Sequence, residues 1–464
     1  MDSERRSTGP FNGYYQRDIP AEDEELTHVG PGTPAGEYFR RFWLPVSLSS
    51  SLQDLPRAIR ILGEDLVAFR DGRGRAGLLA LHCSHRGTSL EWATVEREGI
   101  RCCYHGWLYR FDGRVLDTPG EPGDGPYKDR LHHGAYPTRE FKGLLFAYLG
   151  PPEREPPFPI FDTFELEGYR ADPVGQQDVS GIIPCNWLQL AENNMDPVHR
   201  VFLHGLEGGR AELDEHRPSL HANTSLDHYI GDGLDAWDRH VAAQRGEIQG
   251  HVIEYQETEI GMFYIDTRRI GREDLVWIRV ADYILPSIDQ VARAVTVAEE
   301  QNEIPFDPPR TTTWTIPVDD THTTSFELLY TPAKMEGVHA GRWRFASPRT
   351  SLERTYEERQ SQPGDFEGQT SQRPIAVHNL EHLGWSDTGV AMVRKLLRED
   401  IRAVQRGEDP KLMGPAQRGV IDTHGQTTII RIPRASGTEA DRALLREAGR
   451  KVWAERRSRS GSPV

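Results

Sequence analysis

Four residues with metal-binding side chains lie in two pairs in the N-terminal third of the chain. Cys83 and His85 form a Cys-x-His pair, and Cys102 and His105 form a Cys-x-x-His pair after the segment Arg86–Arg101. Each pair offers one thiolate and one imidazole, which are ligands of zinc and of iron–sulfur clusters. Two Cys on one iron and two His on the other would hold a [2Fe–2S] cluster with a higher potential than an all-Cys cluster. A structural zinc ion is the alternative.

The residues that follow each pair favour the cluster. Zinc ribbons usually repeat one pair spacing, whereas the two spacings here differ. Arg86-Gly87 follow the first pair and Gly106-Trp107 the second, and glycine lets a backbone N–H approach a cluster without a Cβ in the way. The whole run resembles the Rieske motif. The resemblance implies these cluster ligands: Cys83, His85, Cys102 and His105.

Composition limits the class of protein. The chain has 464 residues, 37% of them hydrophobic, and a net charge of −16, which predicts two or three domains and disfavours nucleic acid and anionic membranes as partners. The N-terminus has no apolar signal core, and no apolar run is long enough for a membrane span. Four Cys, two of them in the ligand pairs, leave no disulfide framework, so a cytoplasmic location is expected. Cys103 is predicted to be a packed thiol and His82 a surface or core imidazole.

The pattern along the chain predicts five segments. Residues 1–42 are polar and read as an N-terminal arm on the folded body. Residues 43–150 alternate short apolar runs with turns, which predicts one small β domain that holds the cluster. Residues 151–162 form a Pro-rich linker. Residues 163–434 form a second domain, and residues 435–464 are charged and basic, which predicts a short helix and a frayed tail.

Within the second domain, helical and strand patterns are mixed. Residues 186–205 have helical spacing with a break at the Asp196-Pro197 step. Residues 206–250 are predicted to be loop and short helix, and 334–375 a polar, Pro-broken segment. Strand-like runs between residues 251 and 330 predict one antiparallel sheet. An amphipathic helix follows, with Ser386 or Asp387 as its cap and Gly407 and Pro410 as its stop; its apolar face comprises Val390, Val393, Leu396, Leu397, Ile401 and Val404.

A second metal site is suggested by two further histidines. His199 and His204 are five residues apart, which on a helix brings two imidazoles towards one face. Together with one carboxylate they would form the two-His-one-carboxylate triad of non-haem Fe(II) oxygenases, which leaves coordination positions open for O₂. The alternative is a pair of partly buried imidazoles with no ligand role.

A longer run decides between these alternatives. The run resembles the catalytic-domain signature of Rieske oxygenase large subunits and comprises Glu192, Asn193, Asp196, His199 and His204. The resemblance then covers nearly the whole chain and implies an α+β fold, with an all-β Rieske domain followed by a helix-grip catalytic domain. It also implies that His199 and His204 bind iron, and that Asp196 is an electron-transfer bridge to His105 of the partner subunit.

The third iron ligand must come from far downstream. Asp365 begins a run similar to Asp-x-x-x-Gln-x-x-Gln-x-Pro-Ile in the phthalate 4,5-dioxygenase-like branch, which comprises aromatic-acid dioxygenases and aryl-ether O-demethylases. Asp319 and Asp320 are the alternatives. One departure concerns Asn193-Asn194, where phthalate-type members tend to carry small residues, so the pocket need not be a phthalate pocket.

These features predict a terminal oxygenase that uses reductase-supplied electrons and O₂ to hydroxylate, dihydroxylate or oxidatively demethylate an aromatic substrate. Arg279, or alternatively Arg268 or Arg269, could bind a substrate carboxylate. The expected partners are a flavin/iron–sulfur reductase and copies of the same chain in a homotrimer or a hexamer of two stacked trimers. A Rieske electron carrier fused to a non-catalytic binding domain, or a metal-stabilised structural protein, are the alternatives.

Overall fold

The computed structural model describes residues 9–122, 127–128, 130–175, 181–203, 251–270, 274–292, 308–333, 354–361 and 363–460. The predictions made for residues 206–250, for residues 334–353 and for His204 therefore lie outside the described residues. Among the helices of the described part, none is long and apolar enough to cross a membrane.

The N-terminal half is built from small antiparallel sheets. A four-stranded sheet has the order Arg57–Ile61, Glu64–Arg70, Ala76–Ala80, Ala135–Tyr136. A three-stranded sheet has the order Trp43–Leu48, Leu144–Tyr148, Thr138–Phe141. A third sheet, which carries the second ligand loop, has the order Thr94–Glu96, Gly99–Arg101, Leu108–Tyr109, Val115–Asp117. The first and third sheets share a core, in which Cys83 and Cys102 are packed with apolar neighbours such as Leu90 and Ile100.

A hairpin of the first sheet connects the two halves of the molecule. The turn at Leu62-Gly63 has positive φ at both residues, 49° and 75°, as a two-residue hairpin turn requires. Its two amides donate to the carbonyls of Pro317 (3.0 Å) and Val318 (2.9 Å) in the large C-terminal sheet. Because backbone hydrogen bonds are directional, this contact fixes the orientation of the hairpin on the second domain.

The C-terminal half is organised around an eight-stranded antiparallel sheet. The order is Tyr169–Gly175, His322–Pro332, Pro309–Asp319, Ile288–Ala292, Leu275–Ile284, Gly261–Ile270, Val252–Thr258, and Gln426–Arg431 also pairs with Leu275–Ile284. A short parallel pair joins Ile160–Phe161 to Val420–Ile421. An all-β N-terminal part followed by a sheet with helices confirms the predicted α+β class.

Helices pack on both faces of this sheet. The α-helices span Glu24–Thr27, Pro34–Phe39, Trp187–Asn194, His199–Leu203, Tyr356–Ser361, Asp365–Thr370, Thr388–Gln405, Met413–Arg418 and Thr438–Ser460. Single 3₁₀ turns span Asn12–Tyr15, Ser49–Ser51, Leu90–Trp92, Pro152–Arg154, Asp162–Glu165, His378–Leu380 and Trp385–Asp387. The two short helices near the N-terminus pack on the body through Leu26, Tyr38 and Phe39, all of them buried.

The helix Thr388–Gln405 has the limits that its pattern predicts. Asp387 is at its N-cap position, and Gly407, one residue past the C-cap, has a φ of 84°. Val393, Leu396 and other members of the apolar face are buried, because their spacing places them on one side of the helix.

The C-terminal helix differs from the prediction of a short helix with a frayed tail. It runs for 23 residues, and Leu445, Ala448 and Val452 are buried against the sheet in a separate core. Its apolar stripe is narrow and is surrounded by charged residues, so composition alone hides the packing face. Asp441 on this helix also pairs with Arg269 of the sheet.

Candidate metal centres

The first ligand loop is closed by two backbone hydrogen bonds. The amide of Cys83 donates to the carbonyl of Thr88 (2.9 Å), and the amide of Gly87 donates to the carbonyl of Cys83 (2.8 Å). Gly87 has a φ of 75°, a conformation that side chains with a Cβ rarely adopt. The loop therefore turns sharply just after its cysteine and histidine.

The second ligand loop repeats this closure. The amide of Cys102 donates to the carbonyl of Trp107 (2.9 Å), and that of Gly106 donates to Cys102 (3.1 Å); the φ of Gly106 is 73°. Although the two Cys–His spacings differ by one residue, each cysteine thus opens a loop of the same length and shape. Two matching loops present their ligands from two sides, as a two-iron cluster requires.

The side chains of the four predicted ligands are brought together. Cys83 and Cys102 are 4% and 3% exposed, and the rings of His85 and His105 lie 4.6 Å apart at 80°. The Nδ1 atom of His85 is buried, and no group of the described residues hydrogen-bonds to it. A buried ring nitrogen without a partner is unfavourable unless it has another ligand. This donor set therefore fits a [2Fe–2S] cluster with one imidazole from each loop.

Several further residues support the two loops. The ring of His85 stacks on Trp107 at 5.0 Å and 5°. The ring of His133 is buried and lies 2.7 Å from both the Ser84 hydroxyl and the Ala80 carbonyl. Arg101 donates to the carbonyl of Gly106 (2.5 Å) in the second loop. No local motif identifies His133, because it reaches the loop only through the folded chain.

Burial dominates the electrostatics of this site. It raises the pKa of Cys83, although the hydroxyl of Tyr109, 3.0 Å from the sulfur, acts in the opposite direction. Partial burial, together with the charges of His85 and Arg86, lowers the pKa of His105. A neutral imidazole at position 105 is the form that can bind a metal.

Two neighbouring residues lie on the surface. Cys103 is exposed, so the prediction of a packed thiol is wrong; the turn that buries Cys102 directs the next side chain outwards. His82 is also exposed, and its Nδ1 lies 3.1 Å from the carbonyl of Gly87.

The second site begins where the helix Trp187–Asn194 ends. The chain breaks at the Asp196-Pro197 step and continues as the helix His199–Leu203. The Nε2 atom of His199 lies 3.5 Å from Oδ1 of Asp365 and 3.5 Å from Nδ2 of Asn193. Two ligands at right angles on a metal with bonds of about 2.1 Å are about 3 Å apart, so His199 and Asp365 fit a shared metal.

The alternative carboxylates lie elsewhere. Oδ1 of Asp320 accepts from the amide of Val29 (2.8 Å) in the N-terminal arm. Oδ1 of Asp319 accepts from the amide of Thr321 (2.9 Å) within its own turn. Of the three candidate aspartates, Asp365 is the one that the structure places beside His199.

Asp196 makes local contacts within its own segment. Its Oδ1 accepts from the amides of Val198 (2.9 Å) and His199 (3.3 Å) and so caps the following short helix. The Nδ1 atom of His199 contacts the backbone carbonyl of Asp196, whereas its distance to the carboxylate is 3.8 Å. Burial raises the pKa of Asp196, although the two amides act in the opposite direction. The Asp196 side chain is still 26% exposed, so another molecule can reach it.

Glu192 belongs to a buried ion-pair network. Arg394 donates to both of its carboxylate oxygens (2.6 and 2.8 Å) and to both oxygens of Glu381 (2.5 and 3.0 Å). Glu192, Glu381 and His378 also lie close enough together to hold a metal ion. Because the guanidinium of Arg394 already supplies the positive charge between the two carboxylates, we interpret this group as a structural ion pair.

The three arginines considered for substrate binding are all buried, and two of them pair within the protein. Arg268 contacts Asp266, and Arg269 contacts Asp441 and the carbonyls of the chain beside it. Arg268, with His251, lowers the pKa of Asp266 to about 2, although burial acts in the opposite direction. Arg279 lies over the ring of Trp277 at 4.5 Å, and its Nε has no hydrogen-bond partner among the described residues.

Comparisons with known proteins bear on both sites. The family of the Rieske [2Fe-2S] domain matches residues 42–132. Over 460 residues the chain is 38% identical to the tert-butanol monooxygenase / tert-amyl alcohol desaturase oxygenase subunit of Aquincola tertiaricarbonis, covering 96% of this chain and 91% of the relative. It is 35% identical to the phenoxybenzoate dioxygenase subunit alpha of Ectopseudomonas oleovorans, covering 85% and 88%.

The fold also resembles a solved structure. The NdmA QL mutant of Pseudomonas putida CBB5 with theobromine matches with a TM-score of 0.55 and 18% identity, covering 87% of this chain and 100% of that one. At this identity the likeness concerns the fold alone. It extends over both halves of the molecule, in agreement with the sheet order described above.

Proposed function

This chain belongs to the Rieske non-haem iron oxygenases, as an oxygenase (alpha) subunit, and from that premise we propose the chemistry of its individual residues. It is an oxidoreductase that acts with O₂, and its cofactors are a Rieske [2Fe–2S] cluster and mononuclear iron. We propose that it is the terminal component of its system. In this role it receives electrons from a flavin/iron–sulfur reductase and hydroxylates, dihydroxylates or oxidatively demethylates an aromatic substrate.

The proposed ligands fall into two sets. Cys83, His85, Cys102 and His105 hold the cluster; His199, His204 and Asp365 hold the iron. The observation that carries the oxygenase function is the 3.5 Å distance between Nε2 of His199 and Oδ1 of Asp365, because an electron carrier needs no second site of this kind. The cluster supplies single electrons, and the iron supplies O₂ activation when bound.

The protein residues orient these ligands. The backbone carbonyl of Asp196 holds Nδ1 of His199, which leaves Nε2 directed at Asp365 and fixes which nitrogen binds the metal. The short helix that carries His199 is in turn fixed by the carboxylate of Asp196 at its N-terminus. Asp196 therefore connects the position of the iron ligand to the surface of the subunit.

We propose that electrons pass from His105 of the partner subunit into this subunit through Asp196. One of its oxygens is used by the helix cap, and the side chain is still partly exposed. Exposed Leu383 and Trp385 lie a few positions before Asp387, whose charge acts on Asp196. Exposed Trp92 and Tyr104 lie near the cluster ligands in sequence. Apolar surface near each metal site is consistent with a head-to-tail ring. We propose a homotrimer, alone or as two stacked trimers.

The named relatives suggest where to look for the substrate. One acts on phenoxybenzoate and the other on tert-butanol and tert-amyl alcohol, so aromatic acids, aryl ethers and tertiary alcohols are the compounds to test. A substrate carboxylate at Arg279 stays a prediction. The chain is proposed to work in the cytoplasm, as its cysteine content suggests.

A metal and turnover assay tests the second site. His199→Ala and Asp365→Ala should lose mononuclear iron and substrate-coupled O₂ uptake, while the visible spectrum of the cluster stays unchanged. Asp319→Ala is the control, because Asp319 is an aspartate of the same domain away from His199. If Asp365→Ala kept full iron and turnover, Asp365 would not be a ligand; if no variant lost iron, the oxygenase site would be elsewhere.

A mixing experiment tests the path between subunits. His105→Ala and His199→Ala proteins are each expected to be inactive. When their subunits exchange, rings in which an intact cluster faces an intact iron should recover part of the turnover. An active monomer, or no recovery after exchange shown by native mass spectrometry, would contradict the assembly.

A further inference from the structure

Two carboxyl groups lie in one row of the large sheet, next to the proposed iron site. Asp289, Thr313 and Glu327 are directly opposite one another on three adjacent strands. Residues paired in this way share a face of the sheet. Asn194, at the end of the helix that leads to the proposed iron ligands, donates to Oδ1 of Asp289 (2.9 Å). The row is therefore on the face that this helix covers.

A short series of contacts connects this row to the proposed iron ligands. Asn194 follows Asn193, whose Nδ2 is 3.5 Å from Nε2 of His199. Arg200, the residue after His199, acts electrostatically on both Asp289 and Asp365. The row thus belongs to the surroundings of the iron and not to a remote part of the sheet.

Neither carboxyl group is fully satisfied within the protein. Asp289 is 6% exposed, and its Oδ2 has no hydrogen-bond partner among the described residues. The same part of the chain offers no hydrogen bond to the carboxyl group of Glu327, which keeps some accessible surface. These oxygens are not among the fully enclosed unpaired atoms of the described residues, so a ligand can reach them.

Arg200 is the cation whose charge acts on Asp289. Arg200 is 8% exposed, and no described residue hydrogen-bonds to its Nη1. The charge of Arg200 acts on Asp266 and Asp365 as well as on Asp289. Arg200 is therefore not a counter-ion for Asp289 only. Two carboxyl groups with acceptor oxygens therefore suit a group that donates a hydrogen bond.

We propose that Asp289 and Glu327 form a subsite for a hydrogen-bond-donating head group of the substrate, a hydroxyl or a protonated amine. The proposal rests on the oxygenase function above and adds the polarity of one end of the substrate. A hydroxyl or an ammonium ion donates to a carboxyl oxygen, and the ammonium ion also brings a positive charge. A carboxylate at this position would instead face two further carboxyl groups.

The electrostatics of the two acids agree with a site that lacks a cation. Burial, and then the charge of Glu327, raise the pKa of Asp289 to about 8. Burial also raises the pKa of Glu327, and Arg310 only partly offsets this. A donor from the substrate would favour the charged form of these acids, which burial otherwise disfavours. By contrast, Asp266 in the same domain already has Arg268 and His251 as partners.

The test measures binding and turnover separately. Tert-butanol, tert-butylamine and 2,2-dimethylpropanoate share one apolar body and differ in the head group; benzyl alcohol, benzylamine and benzoate form a second series. Affinities are measured by anaerobic titration calorimetry on the holoenzyme, and turnover by coupled O₂ uptake. The variants are Asp289→Asn and Glu327→Gln, with Glu257→Gln as the control, because Glu257 is on the same sheet and pairs with Lys395 at the surface.

For the head groups that donate, each variant should weaken binding by about tenfold, or about 1.4 kcal/mol, whereas carboxylate affinity and the control variant should stay unchanged. Unchanged donor affinity in both variants, equal losses for carboxylates, or no binding of any donor would overturn the subsite. If donors bind as expected and no compound supports O₂ uptake with both cofactors loaded, the oxygenase function fails and the subsite stands. Circular dichroism checks that the variants are folded.

Discussion

Breaking the buried ion pair between Glu192 and Arg394 should destabilise the helix that precedes the iron ligands. The side chains of Glu192 and Arg394 are only 10% and 11% exposed. Burial raises the pKa of Glu192, and Arg394 offsets only part of this. Replacing Arg394 by methionine keeps much of the apolar stem but leaves Glu192 without its two strongest hydrogen bonds. Removing one partner of a buried pair costs about 3–5 kcal/mol.

The same helix provides a matched control. Arg402 also makes two hydrogen bonds to one glutamate, Glu25 (2.7 and 2.9 Å), but its side chain is 56% exposed. Exposed pairs contribute about 0–1 kcal/mol. In calorimetric scans of the holoenzyme, Arg394→Met should lower the midpoint by about 6 °C or more, and Arg402→Met by about 2 °C or less, at roughly 2 °C per kcal/mol.

The pH dependence of the destabilisation caused by Arg394→Met provides a second check. Without Arg394, the pKa of Glu192 in the folded protein should rise further above its unfolded value. A group with a raised folded pKa contributes stability below its unfolded pKa and loses it as pH rises through the folded pKa. The destabilisation by Arg394→Met should therefore be smaller at acidic than at neutral pH. Equal shifts for the two arginine variants, or a difference that grows in acid, would refute the reasoning.

Three further outcomes are expected. Cys102→Ala should lose the cluster and its EPR signal while Cys103→Ala keeps both, because one thiol is buried in the ligand loop and the other is exposed; equal losses would show that the assumed ligand is wrong. Gly106→Ala should speed the thermal loss of cluster absorbance more than Gly74→Ala. Both glycines have positive φ, but a Cβ at position 106 would lie 2.8 Å from Pro119. Equal rates would count against this loop geometry. Because the folded pKa of Asp289 is raised to about 8, its contribution to stability is lost as pH rises from about 4 to about 8, by at most about 1.4 kcal/mol per unit; Asp289→Asn should remove that slope in denaturant titrations, and an unchanged slope would place the raised pKa elsewhere.

Local features were determined by the sequence itself. The two ligand loops are each contained in a few consecutive residues, so their spacing indicated the cluster, and the comparisons confirm the family and the cofactors. The helix Thr388–Gln405 and the break at Asp196-Pro197 were also predictable, because the apolar period and a proline act on the local backbone. The individual ligand assignments and the domain limits stay predictions.

Other features depended on the folded chain. Three contacts join residues that are distant in sequence. Asp365 lies beside His199, His133 supports the first ligand loop, and Arg269 pairs with the C-terminal helix. No periodicity encodes such contacts, because they arise from strand order and from helix docking. The row of Asp289 and Glu327 shows the physical reason: each strand pattern tells which residues share a face, but only the register between strands decides which of them meet.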